Sequence, residues 1–213
     1  MQNRGQNTFE HWNEKHIREY GLFVPYDFDE MNGSEVGYHK VASDIIKENK
    51  DAIKMKSMLE IGCAGGYFSS YIATLFPNWK IEGWDFSKSG IDAARQKNEH
   101  IKNISFKIID ILENPVADDY GIICCFETIE HMAEGDNYKL LNQWLEHCEY
   151  FILSVPTTKD DCRGEHISHY DFDTFEKQGY QVIWKAKLGK IDMSNVGDFG
   201  EYFHFIALIK GKL

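Results

Sequence analysis

Met58-Leu-Glu-Ile-Gly-Cys-Ala-Gly-Gly-Tyr-Phe-Ser69 carries most of the fold information in this chain. It begins as an apolar run that predicts a buried strand, passes through three glycines and continues into a segment with helical spacing. Glycines let the backbone come close to a ligand, and the first turn of the following helix offers unpaired N–H groups to a negative group. Strand, glycine turn and helix in this order are typical of nucleotide-binding α/β domains, although a glycine turn alone also occurs in ordinary connections.

Outward from this run, short apolar segments alternate with amphipathic helical segments, which predicts a parallel sheet with crossover helices. The expected strands are 57–63, 80–86, 104–110, 120–126 and 150–156. The expected helices are 36–49, 67–76, 87–100 and 137–149, followed by a helix-like segment at 172–180. The tail differs, because the β-rich runs 181–190 and 201–211 predict an antiparallel hairpin.

Length and composition limit the number of domains and the kinds of partner that we expect. The chain has 213 residues, which suits one compact α/β domain, and its formal net charge of -11 argues against a nucleic-acid partner. Neither a signal-peptide pattern nor an apolar run long enough for a membrane span is present, so we expect a cytoplasmic protein with no membrane partner. The five cysteines form no CxxC pair, which favours reduced thiols in the core.

Three carboxylates lie at the ends of three successive predicted strands. Glu60 ends the first strand, Asp85 the second and Asp110 the third. Because the carboxyl ends of parallel strands open onto one crevice, these side chains are expected to line a single ligand site. Asp85 is placed to accept hydrogen bonds from both hydroxyls of a ribose.

With these features the sequence resembles the class I S-adenosylmethionine-dependent methyltransferases over about residues 57 to 175. The resemblance implies an α/β, Rossmann-like, seven-stranded and mostly parallel sheet of order 3-2-1-4-5-7-6, with the last strand antiparallel and helices on both faces. It implies S-adenosylmethionine as cofactor, and cofactor contacts from Glu60, Gly62, Cys63, Ala64, Gly65, Asp85, Phe86, Asp110 and Ile111. A nicotinamide dehydrogenase is disfavoured, because the glycines read GCAGGY instead of GxGxxG.

A second group of chemically active residues follows the fourth strand. Glu127, Glu130 and His131 have a spacing that places them on one face if the segment is helical, and His166 follows the fifth strand. Mixed carboxylate and imidazole ligands suit Mg, Mn, Fe or Zn, which would hold and acidify a hydroxyl. This pattern resembles the metal set of small-RNA 2′-O-methyltransferases and of ubiquinone-pathway O-methyltransferases.

The same residues also fit catalysis without a metal. His131 or His166 could then act as general base, with Glu127 near the cofactor, since imidazole titrates near neutral pH. His169 and Tyr170 are expected to form substrate wall or loop structure. An oxygen acceptor needs such a base or a metal, so the group favours O-methylation of a small molecule.

The N-terminal residues 1–36 are expected to form a lid or cap on a methyltransferase domain of residues 37–213, with Trp12 shielding the cofactor. The polar character of the acceptor side favours a sugar or nucleotide sugar, with a phenol or catechol next. The alternatives are a metal-dependent RNA 3′-terminal 2′-O-methyltransferase and a methyltransferase-like binding module without activity. The assembly is expected to be a monomer or homodimer.

Overall fold

A computed structural model describes residues 37–156, 166–190 and 203–213, together with residues 10, 11 and 14. The predicted lid, Trp12 included, lies outside the described residues apart from those three positions.

Helices and strands alternate as the apolar spacing predicts. The strands are β1 Ser57–Ile61, β2 Lys80–Asp85, β3 Ile104–Ile108, β4 Tyr120–Phe126, β5 Cys148–Pro156, β6 Val182–Lys190 and β7 Phe203–Lys210. The helices are α1 Gly37–Asn49, α2 Tyr67–Leu75, α3 Lys88–Lys97, α4 Asp136–Glu146 and α5 Thr174–Lys177, with a single 3₁₀ turn at Ile129–His131.

The seven strands form one sheet of order β3-β2-β1-β4-β5-β7-β6. Strands β1 to β5 are parallel to one another, whereas β7 runs antiparallel to both β5 and β6. The predicted strand order and the terminal hairpin are therefore confirmed. Because β7 is reversed, its amino end lies at the edge of the sheet where the parallel strands have their carboxyl ends.

The central strands of the sheet are buried on both faces. Residues of α1 and α2 pack with one face of the central strands, through Ala42, Ile46, Phe68, Ile72 and Ala73. The opposite face is covered by α4 and α5, chiefly through Leu140, Leu141, Trp144, Leu145 and Phe175. Strands covered on both sides read as nearly continuous apolar runs, which is why β4 and β5 were readable from the sequence.

Several predicted boundaries shift in a way that bears on the site. Strands β1, β2 and β3 end at Ile61, Asp85 and Ile108, one or two residues earlier than expected, so the residues that follow lie in loops. The prediction of a helix at 137–149 is wrong at its C-terminal end. It stops at Glu146, because Cys148 already pairs with Tyr120 in the sheet.

Four cysteines are reduced and buried, as predicted: Cys63, Cys124, Cys125 and Cys148. Burial raises the pKa of each of these thiols, so they remain protonated at neutral pH. Cys162 lies outside the described residues. Across the described ranges, no helix has the length and apolar character that a bilayer crossing requires.

Candidate active site

The loop between β1 and α2 is built from residues with left-handed backbone conformations. Gly62, Ala64 and Gly66 have φ values of 74°, 46° and 73°. The amide of Gly62 donates to the carbonyl of Trp84 over 2.8 Å, which fixes the loop beside the end of β2. A Cβ on Gly62 would lie 2.1 Å from Oγ1 of Thr128, so the loop also packs closely on the segment after β4. Position 62 therefore requires glycine for two reasons: the backbone conformation is left-handed, and there is no room for a Cβ.

The other loop residues contribute mainly backbone. The side chain of Cys63 is buried with Ile91, Ala94 and Phe106 and packs away from solvent. A Cβ on Gly65 would lie 2.9 Å from the ring of Tyr67. Four of the loop amides donate within the protein, those of Gly62 and Cys63 to the carbonyl of Trp84, that of Ala64 to Asp85 and that of Gly66 to the carbonyl of Cys63, so the loop has a fixed shape.

Asp85 ties the glycine loop to the second strand. Its Oδ2 accepts from the amide of Ala64 and its Oδ1 from the amide of Ser87, both over 2.8 Å. The side chain is buried, and burial raises its pKa to about 6 despite the lowering effect of these hydrogen bonds. Each carboxylate oxygen has a second lone pair, so Asp85 retains acceptor capacity for a ligand hydroxyl.

Glu60 holds the start of α2. Its carboxylate accepts hydrogen bonds from the amide of Ser69, over 2.9 Å, and from the Ser69 hydroxyl. Burial raises the Glu60 pKa to about 8, and the nearby charge of Asp85 acts in the same direction. This contact suits a residue that orients the glycine loop.

The remaining predicted cofactor residues lie in the loops after β2 and β3. Asp110 is half-buried and its Oδ1 accepts from the amide of Leu112 over 3.1 Å. The amide of Ile109 donates to the carbonyl of Asp85 over 2.9 Å, which keeps the two loops adjacent. Phe86 and Ile111 are also half-buried, so both present part of their side chains at this edge.

The segment after β4 is not the helix that the Glu-x-x-Glu-His spacing suggested. Glu127 has φ 45°, and only Ile129–His131 form a 3₁₀ turn. Glu127 therefore leaves the strand in a different direction from Glu130 and His131. A positive φ at a residue other than glycine stores strain and is found preferentially at functional sites.

Three of the four predicted metal-site residues come together. Ligand atoms of Glu130, His131 and His166 all lie within 4.8 Å of one another, and the two imidazole rings are 4.9 Å apart. Glu130 is fully buried, and among the described residues neither of its carboxylate oxygens has a hydrogen-bond partner. Burial holds the pKa of Glu130 well above its ordinary value, with a further rise from the charge of Glu127. We refer to Glu130, His131 and His166 as the histidine cluster.

Backbone hydrogen bonds bring His166 into the histidine cluster. The carbonyl of Glu130 accepts from the amides of Ile167 and Ser168, over 2.8 and 3.0 Å, and the Ser168 hydroxyl donates to the Met132 carbonyl over 2.6 Å. His169 is exposed. Tyr170 is buried, and it is held through its hydroxyl, which accepts from Asn137 over 2.6 Å. Tyr170 thus supports the loop and does not line the crevice.

Glu127 belongs to a different contact. Its Oε1 accepts from the hydroxyl of Ser154 over 2.7 Å, and its Oε2 lies 2.7 Å from Nδ1 of His204. Neither Ser154 nor His204 was singled out from the sequence. They lie 27 and 77 positions beyond Glu127 and meet it only because β5 and β7 are neighbours in the sheet. Because these contacts join segments that are far apart in the chain, no local sequence pattern indicates them.

Comparison with known proteins agrees with this fold. Residues 58–149 match a family model described as "Methyltransferase domain". The malonyl-[acyl-carrier protein] O-methyltransferase of Bacillus cytotoxicus is 34% identical over 129 residues, which cover 61% of this chain and 39% of that protein. The ubiquinone biosynthesis O-methyltransferase of Proteus mirabilis is 28% identical over 92 residues, covering 42% and 37%.

A solved structure agrees over nearly the whole chain. The N-methyltransferase NodS from Bradyrhizobium japonicum WM9, in complex with S-adenosyl-l-homocysteine, superimposes with a TM-score of 0.70 at 16% identity. The match covers 95% of this chain and 99% of that one. By contrast, the chain spans about two fifths of the length of the curated relatives it matches. Residues 58–149 therefore match a methyltransferase domain, and the chain shares the Rossmann-like fold of a methyltransferase of known structure.

Proposed function

We propose that this chain binds S-adenosylmethionine at the glycine loop and transfers its methyl group to a hydroxyl of a small molecule. The observation that carries the proposal is the hydrogen bond from Ala64 to Asp85, which makes the glycine loop and the ribose-binding acid one unit.

The residues present fit the cofactor. A loop of fixed shape whose glycines allow close approach suits the polar methionine part, and a buried carboxylate with spare lone pairs suits the ribose hydroxyls. Half-buried Phe86 and Ile111 offer apolar surface for an adenine ring. When bound, S-adenosylmethionine supplies a methyl group on a cationic sulfur. The protein then has to align the acceptor with that methyl and remove the acceptor's proton.

Two observations support an oxygen acceptor. The two relatives described above carry O-methyltransferase in their names. Glu127, His131 and His166 place carboxylate and imidazole groups beyond the ends of β4 and β5, where a hydroxyl acceptor needs them. Among hydroxyl compounds we favour a sugar or nucleotide sugar over a phenol or catechol, because the residues on this side are polar.

The histidine cluster adds a second candidate function, metal-dependent methylation. A buried carboxylate that has no hydrogen-bond partner in the described part of the chain, together with two nearby imidazoles, matches the ligand types of Mn, Fe or Zn, and of Mg with added water. A bound cation would offset the burial of Glu130 and hold an acceptor oxygen. This candidate includes an RNA 3′ end as acceptor, which the net charge of -11 disfavours.

The proposed function is tested in two steps. Calorimetry with S-adenosylhomocysteine measures the cofactor site, and mass spectrometry measures methyl transfer to methyl glucoside, catechol, a malonyl thioester and an amine. Binding with transfer to a hydroxyl compound supports the proposal. Binding without any transfer favours a binding module without activity, and transfer to the amine alone refutes O-methylation.

A further inference from the structure

Four aromatic rings pack together beside the glycine loop. Phe126 is the last residue of β4, Phe68 lies in the first turn of α2, and Tyr38 and His39 lie in the first turn of α1. The rings of Phe68 and Phe126 are 4.9 Å apart, and the His39 ring is 5.1 Å from each of them. The Tyr38 ring stacks on Phe126 at 5.6 Å. We refer to Tyr38, His39, Phe68 and Phe126 as the aromatic cluster.

The aromatic cluster lies where the strand order of the sheet reverses. Strand β1 has β2 on one side and β4 on the other, and ligands of open α/β sheets bind outside the carboxyl ends of the strands at such a point. Phe126 ends β4 there, and Thr128, two residues later, packs closely on Gly62. Phe68 follows the other end of the glycine loop, two residues after Gly66. The aromatic cluster therefore adjoins the loop on both sides.

The aromatic cluster offers uncharged ring surface. Phe68 and Phe126 are buried, whereas Tyr38 and His39 are only partly buried and provide the surface that a ligand can reach. Burial lowers the pKa of His39 to about 3, so its imidazole is uncharged at neutral pH. Aromatic rings attract cations through their electron-rich faces, and they suit cations that have no N–H or O–H to donate.

The proposed function places such a cation near this surface. Asp85 at the end of β2 is assigned to the ribose, and the acceptor lies beyond the ends of β4 and β5. The sulfur joins the ribose part to the transferred methyl group, so it lies between these two sides, at the ends of β1 and β4. That sulfur is positively charged in S-adenosylmethionine and uncharged in S-adenosylhomocysteine. Methyl transfer therefore removes the charge that the rings attract.

We propose that Tyr38 and His39, supported by Phe68 and Phe126, contact the sulfonium of S-adenosylmethionine and make the site prefer the charged methyl donor over the uncharged product. This inference rests on the proposed function. Loss of the contact after methyl transfer weakens the hold on S-adenosylhomocysteine and favours its release. The aromatic cluster thus acts in choosing between donor and product, and it takes no proton.

The test measures the dissociation constants of S-adenosylmethionine and S-adenosylhomocysteine by calorimetry on the full chain. Tyr38→Leu and His39→Leu each replace a ring with an apolar side chain, whereas Tyr38→Phe keeps the ring and removes the hydroxyl. Tyr150→Leu is the matched control, because Tyr150 is also half-buried but lies near the amino end of β5, at the opposite edge of the sheet. A purely structural effect weakens both ligands alike, so the ratio of the two constants is the readout.

We expect Tyr38→Leu to weaken S-adenosylmethionine binding about fivefold and to leave S-adenosylhomocysteine binding within about twofold of wild type. His39→Leu should change the ratio in the same direction, and it decides the question if Tyr38→Leu does not fold. Tyr38→Phe and Tyr150→Leu should keep the wild-type ratio. Equal weakening of both ligands in Tyr38→Leu, or an unchanged ratio in both leucine variants of the cluster, overturns the inference. A folded wild type that binds neither ligand refutes the proposed function instead.

Discussion

The backbone amide of Ala64 donates a 2.8 Å hydrogen bond to the carboxylate of Asp85, 21 residues later in the chain. This bond joins the glycine loop after β1 to the end of β2. Ala64 adopts φ 46° to make it, a conformation that an alanine rarely takes. A ligand that contacts Asp85 therefore also meets the loop in a fixed position.

Replacing Asp85 with Ala is expected to weaken S-adenosylhomocysteine binding by about 2 kcal/mol or more, because the ribose hydroxyls lose a charge-assisted acceptor. Calorimetry measures the change. The control is Asp92→Ala, which removes an exposed acid that pairs with Lys88 on α3. An unchanged dissociation constant in Asp85→Ala would show that the second strand does not bind the cofactor.

Gly62→Ala is expected to destabilise the fold by more than Gly135→Ala. Both glycines have positive φ, 74° and 97°, but a Cβ at 62 would meet Thr128 at 2.1 Å while a Cβ at 135 meets nothing within 4 Å. Backbone strain alone costs about 1 kcal/mol, whereas the clash adds about 1–3 kcal/mol. Urea unfolding measures both variants.

The added substitution Thr128→Ala separates the two costs. In the double variant, removal of the Thr128 side chain should restore most of the unfolding free energy that the clash costs. The cost of the backbone strain in Gly62→Ala should remain. No recovery would mean that the loop has shifted away from Thr128 and that its packing on the β4 segment is not fixed.

The sheet and the glycine loop were predictable because both leave local signals. Buried parallel strands are continuous apolar runs, and the run from Met58 to Ser69 combines strand, turn and helix in one window. The end of α4 was not predictable in this way. Residues 147–149 continue a helical spacing, and only the pairing of Cys148 with Tyr120 turns them into a strand.

Glu60 is expected to make stability depend on pH. Its pKa is raised to about 8 in the folded protein, from 4.5, so the native state keeps a proton that the unfolded chain has lost. The folded state binds more protons across this interval, so stability falls as pH rises from about 5 to about 8. Above pH 6.5 Asp85 adds little, since its folded pKa is about 6.

The measurement is urea unfolding of wild type and Glu60→Gln between pH 6.5 and 8. The unfolding free energy of the wild type should fall by about 1 kcal/mol per pH unit relative to the variant, because the folded state binds about one proton more than the unfolded chain. Parallel curves for the two proteins would show that Glu60 is ionised in the folded state.

The histidine cluster predicts which residues control metal content. After loading with Mn or Zn and desalting, elemental analysis should find metal in the wild type and in Glu127→Ala, and little in the Ala variants of Glu130, His131 and His166. Glu127 is expected to be dispensable because Ser154 and His204 occupy its carboxylate. An equal loss of metal in Glu127→Ala would show that Glu127 is a ligand together with the three residues of the histidine cluster. A wild type that binds no metal would refute the metal-dependent candidate function.

Part of the candidate site was readable and part was not. Glu60, Asp85 and Asp110 were visible because each lies at or just beyond the carboxyl end of a strand. Glu127 is placed differently from what helical spacing indicates, since that spacing puts it beside His131 whereas its side chain meets His204 of β7. His204 carried no local signal, because the reversed strand that delivers it is the last one in the chain.

Calorimetric titration of the wild-type protein with S-adenosylhomocysteine tests the account most directly, with NAD⁺ titrated under the same conditions. We predict saturable binding of one S-adenosylhomocysteine per chain, lost or strongly weakened in Asp85→Ala, and no saturable binding of NAD⁺. Saturable NAD⁺ binding, or no heat from S-adenosylhomocysteine in a folded wild type, would contradict the assignment of the glycine loop to a methyl donor.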